Sequence, residues 1–155
     1  MPKLFMLVGV PGSGKSTWAA NQEWVKDCAY ISTDQYIEEY AKSVGKTYSE
    51  VFEEYMPKAV HIMTQNVIQA REEGKDIIWD QTSTGKKVRA KKFRMLPTYE
   101  AIAVVFPIPE PKELERRLAS RPGKNIPDHV MKQMIENFSM PTKSEGFTEI
   151  RIIKQ

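Results

Sequence analysis

Cysteine is nearly missing from this chain of 155 residues: Cys28 is the single one. No disulfide can form within a monomer, and a reducing compartment, the cytoplasm, is the expected location. Cys28 itself reads as a small core residue beside a strand. Long apolar runs are missing too. No stretch approaches the ~20 apolar residues needed to span a bilayer. The apolar start, Leu4 to Val10, is too short for the core of an export signal and runs straight into a glycine loop. A strong charge of one sign is also lacking. The 23 basic and 20 acidic side chains leave a net +3, too little to imply a nucleic-acid partner, so the placement of the cations matters more than their sum. The two histidines, His61 and His129, have no metal-ligand spacing. Internal repeats and low-complexity segments are absent. What remains, 41% hydrophobic and 28% charged, is the composition of a soluble globular protein. A single domain over residues 1–155 is expected, long enough to bury a full core.

Apolar runs and helical periodicities alternate along the chain. Leu4 to Val8 is a continuous apolar run that suits a strand buried on both faces. A helix is expected from Ser16 to about Val25, with Trp18 and Trp24 packing it on the sheet, then a short strand Ala29 to Ile31. Ser32 and Gln35 have the spacing of a capping box at the start of the next helix. Tyr48 to Glu73 reads as a long helix kinked or divided at Pro57 and closed by Gly74. Strands are expected at Ile77 to Trp79, Ala101 to Phe106 and Phe147 to Ile153, and helices after Gly85, from Pro111 to near Arg121, and from Pro127 to Phe138. This alternation predicts an α/β fold with a parallel sheet and helices on both faces. Ligands of such sheets sit at the carboxyl ends of the strands. Residues 9 to 17, Asp34, Asp80 and the loop after Phe106 all fall there.

Gly9-Val10-Pro11-Gly12-Ser13-Gly14-Lys15-Ser16-Thr17 satisfies G-x-x-x-x-G-K-[ST] at every fixed position. Glycines let the backbone curl with its N–H groups turned inward on phosphate oxygens, and the following helix adds its positive end. Lys15 would reach the β- and γ-phosphates of ATP, and Ser16 would hold Mg²⁺. A glycine-rich turn of no function would not need the lysine and hydroxyl at those positions.

Two carboxylates accompany the loop. Asp34 follows the second strand and is a candidate general base for an attacking hydroxyl. As a plain helix-start residue it would be redundant with Ser32. Asp80 ends the Ile77 to Trp79 strand, where an acid can hold Mg²⁺ through water or orient substrate. Arg117 and Arg121 are four residues apart, on one helix face, just before Pro122-Gly123-Lys124. A small arginine-bearing lid of this kind would put cations over the charge of a transferring phosphoryl group. Lys86, Lys87, Arg89, Lys91, Lys92 and Arg94 place six cations in nine residues. Such a run is either a solvated helix face or a surface for a phosphate-rich acceptor.

Together these residues resemble the 5′-hydroxyl polynucleotide kinase family, in particular the kinase domain of phage and animal end-healing enzymes. The cradle extended through Trp18-Ala19, the segment Ile31-Ser32-Thr33-Asp34, the run Asp80-Gln81-Thr82-Ser83 with Arg89 nine residues after Asp80, and Arg117 and Arg121 followed by Ile126-Pro127, Phe138 and Pro141 carry the likeness almost end to end. The resemblance implies a P-loop kinase fold using ATP and Mg²⁺. It implies Asp34 as the base, acceptor or phosphate contacts from Asp80, Thr82 and Arg89, and Arg121 on the transferring phosphate. The acceptor it implies is the 5′ end of a DNA or RNA strand. Phage members carry an arginine three residues after the base that grips the acceptor's 3′-side phosphate. Here that position is Ile37, followed by Glu38 and Glu39, while Gln81 and Ser83 replace two asparagines. The family's 3′-phosphatase domain is not expected in this chain. From the residues alone, a kinase of a nucleoside, nucleotide or other small molecule and a nucleotide-binding module without transfer activity remain as alternatives.

Overall fold

The computed structural model describes residues 1–154. Five parallel strands, β1 (Lys3–Val8), β2 (Ala29–Ile31), β3 (Ile77–Trp79), β4 (Glu100–Val105) and β5 (Phe147–Ile152), form one sheet in the order β2-β3-β1-β4-β5. Among the described residues, six α-helices connect them: α1 (Lys15–Ala20), α2 (Thr33–Ser43), α3 (Tyr48–Glu72), α4 (Lys86–Met95), α5 (Pro111–Ala119) and α6 (Asp128–Glu136). The continuous apolar runs are explained by burial on both faces. Leu4, Met6 and Val8 join Ile77, Trp79, Ala101, Ala103 and Val105 under α3 and the end of α4. Phe5 and Leu7 join Ile78, Ile102, Val104 and Phe106 on the opposite face under Trp18 and Trp24. The expected parallel α/β architecture is therefore present, with strand ends within about one residue of the sequence reading.

Several local expectations are corrected. The helix after the glycine loop stops at Ala20, and a 3₁₀ turn, Glu23–Asp27, follows. Six residues along one α-helix would put Trp18 and Trp24 about 120° apart around its axis. The break lets both reach the sheet, with Trp24 against Phe5 at 4.6 Å and Trp18 against Phe106 at 5.8 Å between ring centroids. Ser32 stands at the N-cap of α2, but its hydroxyl makes no cap bond and no capping box forms there. The box forms instead at Thr47 and Glu50, ahead of α3. That helix runs its full 25 residues through Pro57 without dividing. Gly74 does close it, at φ +67°.

Two satellite cores place the walls of the cleft. α2 packs on α3 through Ile37, Ala41, Val51 and Ala59, reinforced by Tyr40 stacked on Tyr55 at 4.1 Å. α5 and α6 pack on the glycine loop through Val10, Leu114 and Met131. Among the described residues, no helix is long and apolar enough to cross a membrane. Cys28 is a free, half-buried thiol.

Ile37 is fully buried, so position 37 faces the α2–α3 core and not the cleft. An arginine there would leave an unpaired charge in that core. Ile37→Arg should therefore lower the thermal midpoint sharply and cost roughly 3–5 kcal/mol in chemical denaturation. A variant as stable as the wild type would show that this side chain can turn to the cleft after all.

Candidate active site

Residues 9–14 form the loop between β1 and α1 and sit over the carboxyl ends of the central strands. The loop is fixed from three sides. The Gly9 N–H donates to the Thr82 carbonyl at 2.9 Å, Arg117 Nη1 donates to the Gly12 carbonyl at 3.2 Å, and Lys15 Nζ donates to the Gly9 and Val10 carbonyls, both at 3.0 Å. Gly12 is needed on two counts. Its φ is +83°, and a Cβ would come within 3.1 Å of both Leu114 and Leu118 of α5. Pro11 and Gly14 are half-buried, Ser13 is buried, and Ser16 and Thr17 at the start of α1 are exposed. Arg117 is itself held by Glu113 at 2.9 Å, so this arginine braces the loop.

Asp80 is buried at the end of β3. Its Oδ2 accepts from Ser16 Oγ at 2.8 Å and from the Tyr30 hydroxyl. Burial, then the Asp80 charge, drives the Tyr30 hydroxyl pKa far above its ordinary value. Lys15 lies within the field of the same carboxylate. Burial lowers its pKa to about 8, while Asp80 and Asp34 pull it back up and Arg121 pushes it further down. Arg121 thus lies close enough to Lys15, and to Tyr48, for its charge to act on both. Asp34, in the first turn of α2, is half exposed and accepts from the Tyr48 hydroxyl at 2.6 Å. Burial and then Asp34 raise the Tyr48 hydroxyl in turn. Lys124 of the lid loop stands 3.9 Å from Asp34 Oδ2 and pairs with Glu38.

The pair Ser16 Oγ and Asp80 Oδ2 offers hard oxygen donors beside the cradle. Among the described residues, no cluster of three or more His, Cys, Asp or Glu forms. That combination fits Mg²⁺, which is held by one or two protein oxygens together with phosphates and waters. The structure thus brings Lys15, Ser16, Asp34, Asp80 and Arg121 around one cleft. Tyr30, Tyr48 and Lys124 join them. None of the three carries a motif, and each meets its carboxylate across a long stretch of chain.

The profile of a family described as an AAA domain matches residues 4–141. The chain belongs to that family. Heterogeneous nuclear ribonucleoprotein U-like protein 2 of Mus musculus is 25% identical over 159 residues, covering 96% of this chain. The chain spans about a fifth of the length of that relative, 21%. A Chloroflexus aurantiacus chain described provisionally as a kinase shares the fold at TM-score 0.73 and 14% identity, covering 98% of this chain and 84% of that one. A sugar kinase from Janibacter sp. HTCC2649 does so at 0.65 and 14%, covering 100% and 87%. A chain of the Pnkp1/Rnl/Hen1 RNA repair complex does so at 0.64 and 21%, covering 88% and 43%. At such identities the likeness establishes the fold, that of P-loop kinases.

One part of the AAA domain departs from the sequence reading. Arg89 is fully buried, donating to Glu145 at 2.9 Å and to the Ser83 carbonyl at 2.9 Å. The structure does not bring it to the cleft surface. Lys92 is buried as well, bonded to Ser83 Oγ with its ammonium 5.0 Å from the Trp79 ring centre. The six-cation run is therefore split: Lys86, Lys87, Lys91 and Arg94 are exposed, whereas Arg89 and Lys92 turn inward. The inward pair clamps Ser83, which sits at φ +45°, a conformation non-glycine residues seldom adopt. The clamp fixes the strap from Gln81 to Thr84. Through the Thr82 carbonyl, that strap fixes the cradle. Thr82 thus contributes its backbone here.

Burial lowers the Lys92 pKa to about 7, against the pull of Asp80. The unfolded chain keeps that proton up to about 10.5. Between pH 7 and 10 the unfolded state therefore binds more protons, and stability rises with pH. Lys15 adds a second rise that begins nearer pH 8. Lys92→Met should remove the first rise and keep the second. Denaturant midpoints measured from pH 7 to 8 should climb in the wild type and stay nearly flat in the variant. Parallel curves would show that Lys92 does not titrate in this window.

Proposed function

We propose that this AAA domain is an ATP-dependent kinase that transfers the γ-phosphoryl group to the 5′-hydroxyl of a nucleic acid end. The observation that carries the reading is the half-exposed Asp34 carboxylate, set at the mouth of the cradle within the fields of Lys15 and Arg121. The loop backbone and Lys15 bind the β- and γ-phosphates. Mg²⁺, held by Ser16 and Asp80, would neutralise phosphate charge. Asp34 accepts the proton of the acceptor hydroxyl as its oxygen bonds to the γ-phosphorus, and the bond to the β-phosphate oxygen breaks to release ADP. Arg121 stabilises charge on the transferring group, and Arg117 supports the nucleotide side of the loop.

A nucleic acid acceptor is supported by the four outward cations of α4 and by two of the similar proteins, a ribonucleoprotein and a chain of an RNA repair complex. A single domain working in the cytoplasm, where ATP is plentiful and thiols stay reduced, suits the one free cysteine. A second reading, a small-molecule acceptor, draws on Glu38 beside Asp34 and on the fold shared with a sugar kinase.

The test supplies γ-labelled ATP with a 5′-hydroxyl oligonucleotide, a nucleoside and a panel of sugars. Label on the oligonucleotide alone or in large excess is expected. Brisk labelling of a sugar or nucleoside with none on the oligonucleotide would decide for the second reading. Asp34→Asn should lower turnover by roughly 10²–10⁴-fold, as loss of a general base does, while ATP affinity stays close to that of the wild type. Full turnover in this variant would remove Asp34 from the proton transfer.

A further inference from the structure

A general base works only if its carboxylate is held at the angle and distance that proton transfer needs. Asp34 has little to hold it from its own helix. It lies in the first turn of α2, its side chain is half exposed, and the Ser32 hydroxyl makes no cap bond there. A hydrogen bond reaches it from another helix instead: the Tyr48 hydroxyl donates to Oδ1 at 2.6 Å.

Tyr48 is fixed more firmly than the carboxylate it meets. It is the first residue of α3, in the turn closed by the Thr47–Glu50 capping box. The Thr47 N–H donates to Glu50 Oε1 at 2.9 Å, and the Glu50 N–H donates to Thr47 Oγ1 at 3.2 Å. Ser49, next in the chain, ties this turn to the lid loop. Its N–H donates to the Gly123 carbonyl at 3.0 Å, and its Oγ accepts from the Asn125 N–H at 2.7 Å. The Tyr48 ring packs on Phe52, one turn on, with centroids 5.6 Å apart, and carries the Lys124 ammonium at 4.7 Å. Burial, then the Asp34 charge, drives the Tyr48 hydroxyl far above its ordinary pKa. It therefore stays a donor across the pH range in which a carboxylate base operates.

We propose that Tyr48 is the positioning residue of the candidate base: its hydroxyl occupies Oδ1, fixes the plane of the Asp34 carboxylate and leaves Oδ2 to accept the proton. The inference rests on the kinase reading above and holds for any hydroxyl acceptor. The acceptor proton passes to Oδ2 as the acceptor oxygen bonds to the γ-phosphorus and the bond to the β-phosphate oxygen breaks. The Tyr48 proton stays on the phenol oxygen throughout, so Tyr48 acts through Asp34. Lys124 complements this arrangement. Its ammonium is 3.9 Å from Oδ2, beyond hydrogen-bond distance, and is paired with Glu38. It lends Oδ2 positive charge without taking up the lone pair that must receive the proton. α2 thus supplies the base, and the capped start of α3 supplies its orientation.

Steady-state transfer from γ-labelled ATP to a 5′-hydroxyl oligonucleotide tests this with Tyr48→Phe, which keeps the ring and removes the hydroxyl alone. The kcat should fall by roughly 10–10²-fold, as misplacing a reacting group does, while KM for ATP and for the acceptor stay close to the wild-type values. Adding Tyr48→Phe to Asp34→Asn should slow the enzyme no further, because the hydroxyl then has no base to position. Tyr40→Phe, which removes a hydroxyl from the same helix pair, should leave kcat unchanged. A wild-type kcat in Tyr48→Phe, a loss carried by KM, or a further loss on top of Asp34→Asn overturns the proposal. Chemical denaturation of the same variants separates the bond from the chemistry. Coupling between positions 34 and 48 in that cycle, with no transfer by the wild type to any hydroxyl, removes the kinase reading and the positioning role together and leaves a structural tie. Transfer by the wild type with Tyr48→Phe at full rate removes the positioning role and leaves the kinase.

Discussion

A buried carboxylate sets the terms for everything around it. Asp80 ends β3, between β2 and β1 in the sheet, and is 6% exposed. Its direct partners are two hydroxyls, Ser16 from the start of α1 and Tyr30 from β2. An ionised group in such a place is tolerated only with hydrogen bonds and opposite charge nearby. The charge comes from Lys15 on one side and Lys92 on the other, and both sit in its field. The three groups therefore hold one another in place: removing the carboxylate would leave two buried ammonium groups with less to offset their desolvation.

The strap after β3 follows from the same arrangement. Gln81 is bonded to both Trp79 and Thr33, the Thr82 carbonyl holds the cradle, and Ser83 is clamped by two cations of α4. A serine at positive φ persists because its surroundings over-determine it. The strap is thus a rigid bridge between the ends of β3 and β1, and rigidity there is what a phosphate cradle requires.

The other wall of the cleft is built differently. α2 is half core and half cleft: Ile37 and Ala41 pack on α3, whereas Asp34 and Glu38, one helical turn apart, meet Lys124. The lid loop reaches this wall through Ser49, at the start of a helix well separated in sequence. The cradle wall of the cleft is consequently fixed within the sheet core, while the opposite wall is assembled from the α2–α3 pair and the lid loop.

The glycine loop and the strand runs were legible in the sequence, because each depends on local physics: a phosphate loop needs glycines and a lysine at set spacing, and a doubly buried strand needs an unbroken apolar run. The direction in which a helix turns its side chains is not local in that sense. Six cations in a row read as one surface, yet Arg89 and Lys92 face inward because α4 presents that side to Ser83 and Glu145. Ile37 read as a missing contact in the acceptor groove, yet it belongs to the core of a helix pair. Sequence alone determined the layered parallel architecture and the phosphate cradle. Which charges are buried, which tyrosines hold the carboxylates, and that Lys124 meets Asp34 were decided by tertiary packing, since those partners lie 14 to 90 residues apart in the chain and meet only when the sheet, the helix pair and the lid are in place.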